Sequence, residues 1–176
     1  MYFLYEYDKD SVVYNMPQVV KLEGELDKEK LRSAFELLIS RHESLRTSFM
    51  MLEGEAVQVI HESVDFDLEY REASESVAQD IIQSFIRPFD LSNSSQLRAG
   101  LIKLSEGSHL LMVDMHHIIS DGVSEGMLVK DFMSLYNGED LPALHLHYKD
   151  YAEWQQSEEQ QLRLEQQRDF WKAEFA

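Results

Sequence analysis

Seven consecutive residues, His116-His117-Ile118-Ile119-Ser120-Asp121-Gly122, bring two imidazoles, a carboxylate and a glycine into one short stretch. A histidine can take or give a proton near neutral pH because its unperturbed pKa lies close by. The run Leu110 to Met115 in front of it is nearly all apolar and reads as a strand buried on both faces; Val123 to Tyr136 behind it reads as a helix. Successive strand side chains point to opposite faces, so His116 and His117 should diverge, one structural and one free to react. Asp121 sits where a carboxylate can anchor the corner through an arginine or orient an imidazole. Arg41 is its first candidate partner and Arg46 its second. Gly122 permits unusual backbone angles and close approach of a substrate to amides at a positive helix end. An amide facing a developing oxyanion and a plain turn glycine both fit that residue.

Other chemistries fit less well. Neither Ser120 nor Ser124 lies in a G-x-S-x-G elbow, so neither is assigned as a nucleophile. His116, His117, Asp121, His145 and His147 carry metal-binding atoms, but the spacing does not match H-E-x-x-H and adjacent strand histidines diverge, so no metal site is expected. The chain has no cysteine, which excludes disulfides, thiolate metal sites and a covalent thiol mechanism.

The elements that must position the corner follow from periodicity. Gln18 to Leu22 reads as a strand, and Asp27 as the N-cap of a helix over residues 28–46, with Leu31, Phe35, Leu38, His42 and Leu45 on one face. Thr47 to Leu52 and Ala56 to Ile60 form a hairpin around Glu53-Gly54-Glu55, and a further strand lies at Asp67 to Arg71. Glu75 to Ile86 is an amphipathic helix stopped by Pro88. Leu97 to Leu104 and His109 to Met115 make a second hairpin, and Asn137-Gly138 suits a left-handed cap on the helix that follows. Tyr148 to Phe175 is one long helix or a broken pair. Met112, Met115, Met127 and Met133 read as core filling; Tyr148, Tyr151 and Trp154 read as packing anchors. Together these predict an α+β fold, a mixed but largely antiparallel sheet covered by helices, with no glycine-rich phosphate loop.

Composition narrows the classes further. The 176 residues suit one domain of ordinary size, and 44% hydrophobic with 11% aromatic residues is enough for a packed core. Asp and Glu number 33 against 16 Lys and Arg, a formal net charge of -17, which disfavours binding to nucleic-acid phosphates. No apolar run reaches membrane-spanning length and the start lacks a signal-peptide pattern, so a cytoplasmic location without membrane contact is expected.

Four ordered motifs add a resemblance. Arg41-His42-Glu43-Ser44-Leu45-Arg46-Thr47-Ser48-Phe49, the His116–Gly122 corner, Tyr148-Lys149-Asp150-Tyr151-Ala152-Glu153-Trp154, and Phe89-Asp90-Leu91 with Leu97-Arg98-Ala99 together resemble nonribosomal peptide synthetase condensation domains. Met1-Tyr2-Phe3-Leu4 is similar to the tail of that family's first motif. The resemblance implies a layered, chloramphenicol-acetyltransferase-like lobe in which residues 1–176 are the N-terminal subdomain, truncated at the start of its first motif, with the C-terminal subdomain absent and the substrate tunnel running between the two. It implies amide bond formation, in which an acyl or peptidyl group passes from a donor carrier-protein thioester to the amine of an acceptor aminoacyl thioester. His117 takes the catalytic position; His116, Asp121, Gly122, Arg41 and Arg46 support it. Phosphopantetheine is presented by the donor and acceptor peptidyl carrier proteins, and the lobe itself binds no cofactor. Trp171 and Phe175 would cover surface facing the second lobe. An epimerisation domain, which uses a similar corner, and a noncatalytic carrier-docking lobe are the alternatives.

Overall fold

The computed structural model of the protein describes residues 1–175, which divide into two compact units at Pro142. The first unit runs in the order α1 (Tyr2–Tyr7), β1 (Gln18–Glu23), α2 (Lys28–Arg41), a 3-10 turn (Glu43–Arg46), β2 (Thr47–Leu52), β3 (Glu55–Ile60), β4 (Leu68–Glu72), α3 (Glu75–Phe85), β5 (Leu97–Ser105), β6 (Ser108–Met115) and α4 (Gly122–Asn137). Four strands form one sheet in the order β1-β6-β5-β4, and β2 pairs with β3 in a separate hairpin. Every pairing is antiparallel except β4 with β5, so the expected mixed, largely antiparallel α+β architecture is what forms.

Strand β6 is covered on both faces, as its sequence requires. Leu111 and Met115 join Leu97, Ala99 and Leu101 of β5 in the main core against Leu31, Phe35 and Leu38 of α2 and Leu128 of α4. Met112 on the other face packs with Ile102 against Ala78 and Phe85 of α3. Burying each large side chain of this kind stabilises the fold by about 1.5–3 kcal/mol. Gly100 makes the second contact possible: a Cβ there would lie 2.7 Å from Met112 Cε and 3.1 Å from Phe85 Cε2.

Local chemistry sets the element ends. Asp27 Oδ1 accepts from the Lys30 amide at 3.0 Å and starts α2. The helical spacing that extends to residue 46 breaks at His42, whose backbone is extended. The 3-10 turn then keeps Leu45 fully buried while Thr47 Oγ1 donates to the Glu43 carbonyl at 2.7 Å and launches β2. Gly138, at φ 81°, closes α4 in the left-handed conformation. Helix α1 was not foreseen, because six residues are too few for a periodic signal; the Tyr5 hydroxyl ties it down by donating to Asp90 Oδ1 at 3.2 Å. The methionines divide: Met112 and Met115 are core, whereas Met127 and Met133 are 56% and 51% exposed and fill no core.

The second unit contains α5 (Tyr148–Gln155) and α6 (Glu158–Glu174), the broken pair rather than the single helix. Ser157 restarts the helix by accepting from the Gln160 amide. Neither helix buries a residue. Tyr148, Tyr151 and Trp154 are therefore not buried anchors; they lean on one another, with ring centroids 6.0 and 5.6 Å apart, because two helices alone offer no third layer to cover them. Trp171 stacks on Phe175 in the same way. No helix among the described residues is long and apolar enough to cross a membrane.

Candidate active site

The histidine corner is the end of β6, and a short segment outside β1 holds it. Gln18 pairs with Val113, and the same register continues past Pro17: the Met16 amide donates to the Met115 carbonyl at 2.8 Å, Asn15 bridges His116, and the His117 amide donates to the Tyr14 carbonyl at 2.8 Å. On the other flank the His116 amide donates to the Gln96 carbonyl at 3.0 Å. The alternation of an extended chain then sends Asp114 and His116 to the α3 side of the sheet, and Met115 and His117 to the side of α2 and α4. The two imidazoles differ in burial, His116 being buried and His117 half-buried.

His116 is buried, at 4% exposure, and its Nδ1 accepts from the Ile118 amide at 3.1 Å, which places the ring proton on Nε2. Tyr14 and the edge of Phe89 flank the ring, with centroids 6.0 and 6.2 Å away. Burial, reinforced by the neighbouring His117, pushes its pKa down to about 4, so it is neutral at physiological pH. His117 is half-buried, and its Nδ1 is shielded with no partner among the described residues. A ring walled off at Nδ1 can exchange a proton only through Nε2. Met115 and Met16, beside it, open onto an apolar cavity of about 500 Å³ between the sheet, α2 and α4.

Asp121 caps α4. Its Oδ1 accepts from the amides of Val123 at 3.1 Å and Ser124 at 2.8 Å and from the Ser124 hydroxyl at 2.7 Å. Those bonds, the Ser124 amide first, hold its carboxyl below the usual range. The Glu125 amide bonds the Asp121 carbonyl, so Gly122 is left with the first helical N–H and no intrahelical acceptor. A Cβ on Gly122 would meet nothing within 4 Å and its φ is not positive, so neither backbone angles nor crowding within this unit demand a glycine.

The arginines go elsewhere than expected. Arg41 Nε donates to Asp131 Oδ2 at 2.8 Å and its NH1 to the Pro142 carbonyl at 2.6 Å, while His42 Nε2 lies 2.9 Å from the same Asp131 oxygen. Arg46 reaches the His61 carbonyl and lies 3.7 Å from Glu43. Neither pairs with Asp121, whose Oδ1 is engaged by its own helix. Asp131, nearly three turns further along α4, is the carboxylate that ties the motif arginine down. Among the described residues no group of three or more His, Asp or Glu is placed to hold a metal ion.

Behind the corner lies a polar centre that periodicity did not reveal. Asp114 is fully buried, and Asn15 Nδ2 donates to its Oδ2 at 2.7 Å and to the Arg87 carbonyl at 3.0 Å. Arg98, cross-strand from Asp114, is 4.0 Å from that carboxylate; its guanidinium donates to the carbonyls of Phe85, Arg87 and Pro88 and lies 3.6 Å over the Phe89 ring. Burial lowers the Arg98 pKa to about 10 and raises that of Asp114, because desolvation opposes both charges. A lone acid inside an apolar strand was the available signal for this centre.

The Condensation domain family matches residues 1–176 of this chain. The chain belongs to that family. Among curated relatives, gramicidin S synthase 2 of Brevibacillus brevis is 46% identical over 176 residues, 100% of this chain and 4% of that protein. Surfactin synthase subunit 2 of Bacillus subtilis is 49% identical over 171 residues, 97% of this chain and 5% of that protein. The condensation-family chain thus spans a small fraction of the synthetases it matches. The X-domain from teicoplanin biosynthesis is similar in structure, with TM-score 0.78 and 28% identity, covering 88% of this chain and 35% of that one. The condensation domain of the monacolin K polyketide synthase MokA shares the fold at TM-score 0.83 and 18% identity, covering 98% of this chain and 40% of that one.

Proposed function

We propose that this chain is the N-terminal lobe of a condensation domain that forms peptide bonds in nonribosomal peptide synthesis, with the reaction site between it and a second lobe. The observation that carries the reading is His117: half-open, proton-exchanging through Nε2 alone, and fixed by its backbone to Tyr14. Its near-half identity to gramicidin S synthase 2 and surfactin synthase subunit 2 supports it. Donor and acceptor groups arrive as thioesters on the phosphopantetheine arms of two carrier proteins, in the cytoplasm. The acceptor amine attacks the donor carbonyl, His117 Nε2 takes the amine proton and passes it to the departing sulfur, the new C–N bond replaces the C–S bond, and the arm leaves as the thiol. The thioester already activates the acyl group, so the protein's work is to position two tethered reactants and move one proton. Gly122 presents an amide with no intrahelical acceptor next to the site, where it faces the developing oxyanion. Asp121 orders the helix start, and Arg41 with Asp131 ties that helix to α2; Arg46 fixes the turn before β2.

Mass-spectrometric detection of amide product from loaded donor and acceptor carriers tests this, comparing this chain with and without the second lobe. Replacing His117 with Ala should lower product formation by roughly two orders of magnitude. Acceptor-dependent product separates condensation from epimerisation. A second reading, a noncatalytic docking lobe, is favoured by likeness to the X-domain solved in complex with OxyB, at 28% identity and TM-score 0.77. Carrier binding without product in a validated assay would select it.

A further inference from the structure

Resting on that reading of His117, we propose that Asn15 and Asp114 are positioning residues for the reaction: their side-chain hydrogen bond clamps the Tyr14–Met16 segment against the end of β6, and that segment sets the place of the His117 backbone. The clamp is needed where it stands. Among the described residues two backbone bonds, Met16 to Met115 and His117 to Tyr14, join the segment to the strand end. On its other side the chain leads straight into exposed Val12 and Val13. Asn15 supplies the missing restraint in two directions, to Asp114 Oδ2 at 2.7 Å and to the Arg87 carbonyl at 3.0 Å.

Arg98 does not substitute for Asn15. It stands 4.0 Å from Asp114, beyond hydrogen-bonding range, and directs its donors to three carbonyls of the Phe85–Pro88 loop. Asn15 is thus the side chain that engages the buried carboxylate directly, and it belongs to the residue bridged to His116 and adjacent to the one that bonds His117. Two oxygens, Asn15 Oδ1 and Asp114 Oδ1, are buried with no partner among the described residues. An amide in place of the carboxylate would keep the acceptor for Asn15 and offer a donor to Asn15 Oδ1. The clamp therefore depends on hydrogen-bond geometry and not on the negative charge.

The test uses Asn15→Ala and Asp114→Asn in the intact condensation domain, with kcat and KM measured for amide formation, and in this chain with nitrogen-15-labelled histidine followed by NMR. Asn15→Ala should lower kcat about 10- to 100-fold with KM within about threefold, the signature of a misplaced group and not of lost binding. Its His117 ring signals should broaden or double while near-ultraviolet circular dichroism stays native. Asp114→Asn should stay within about threefold of the parent kcat, with a single His117 signal. Parent kcat and an unchanged His117 signal in Asn15→Ala would overturn the proposal, and loss of activity in Asp114→Asn equal to that in Asn15→Ala would replace the hydrogen-bond account with a charge account. If the parent domain forms no amide while the His117 signal still responds to Asn15→Ala, the condensation reading fails and the clamp stands.

Discussion

Two arginine–aspartate centres brace the same corner from opposite sides of the sheet, and they are built on different physics. Arg98 and Asp114 are cross-strand neighbours whose meeting is dictated by register, and Asp114 has lost all contact with water. Arg41 and Asp131 bridge α2 and α4 at 15% and 17% side-chain exposure, with His42 sharing the carboxylate oxygen. Burial dominates the first, raising the pKa of Asp114. In the second, burial opposes the Asp131 charge, but the bonds from Arg41 and His42 outweigh it and hold its carboxyl below the usual range. A charged pair set within a strand register costs desolvation and specifies position; one laid between helices adds attraction at lower cost.

The difference is sharpest in stability. Asp114→Ala strands the Arg98 charge and should cost about 3–5 kcal/mol by denaturant unfolding, whereas Asp131→Ala should cost about 1–2 kcal/mol, since its partners can reach water. Equal losses would erase the contrast.

Acid separates the groups by sign. His116, neutral in the native state with a pKa of about 4, contributes stability that is complete above the unfolded value near 6.5. That contribution falls away as the pH drops toward 4, by about 3 kcal/mol in all. His116→Phe should flatten the loss between pH 6.5 and 4. Asp131, with its lowered pKa, adds stability above the ordinary carboxylate pKa that is lost as pH falls through its folded value. Asp114, with its raised pKa, acts the other way: its contribution is complete below the unfolded value and is lost as pH rises through the folded one. Asp131→Asn should therefore flatten the acid limb of the unfolding curve, and Asp114→Asn should steepen it. The smallest effect is expected at Asp121: Asp121→Asn keeps an oxygen for the Val123 and Ser124 amides, and the thermal midpoint should not move measurably.

The legible parts were those that periodic burial writes into neighbouring residues. Leu31, Phe35 and Leu38 announced α2, and the apolar Leu110–Met115 run announced a strand covered twice. That His116 and His117 would differ in surroundings was expected from strand geometry, and they differ in burial. What was illegible depended on separation along the chain. Arg41 and Asp131 are 90 residues apart and Asn15 and Asp114 are 99 apart, and nothing local says that they meet. Asp121 was misassigned for the converse reason: its position at a helix start was a sufficient account, and an arginine partner was not required. The exposed rings of α5 were misjudged because an apolar residue reports its preference for burial and not whether a covering layer is present.

Pro17 completes the account of the corner. It lies opposite Asp114 in the register, between the bonded pairs at Met16 and Gln18, so its nitrogen faces the outer edge of the sheet, where β1 is the terminal strand. A foreign strand adding to that edge would find amide donors along Gln18–Glu23 and none at residue 17. Edge-to-edge growth is thus checked one step short of the histidines, and the sheet's exposed margin is denied the means to zip shut over its own reactive end.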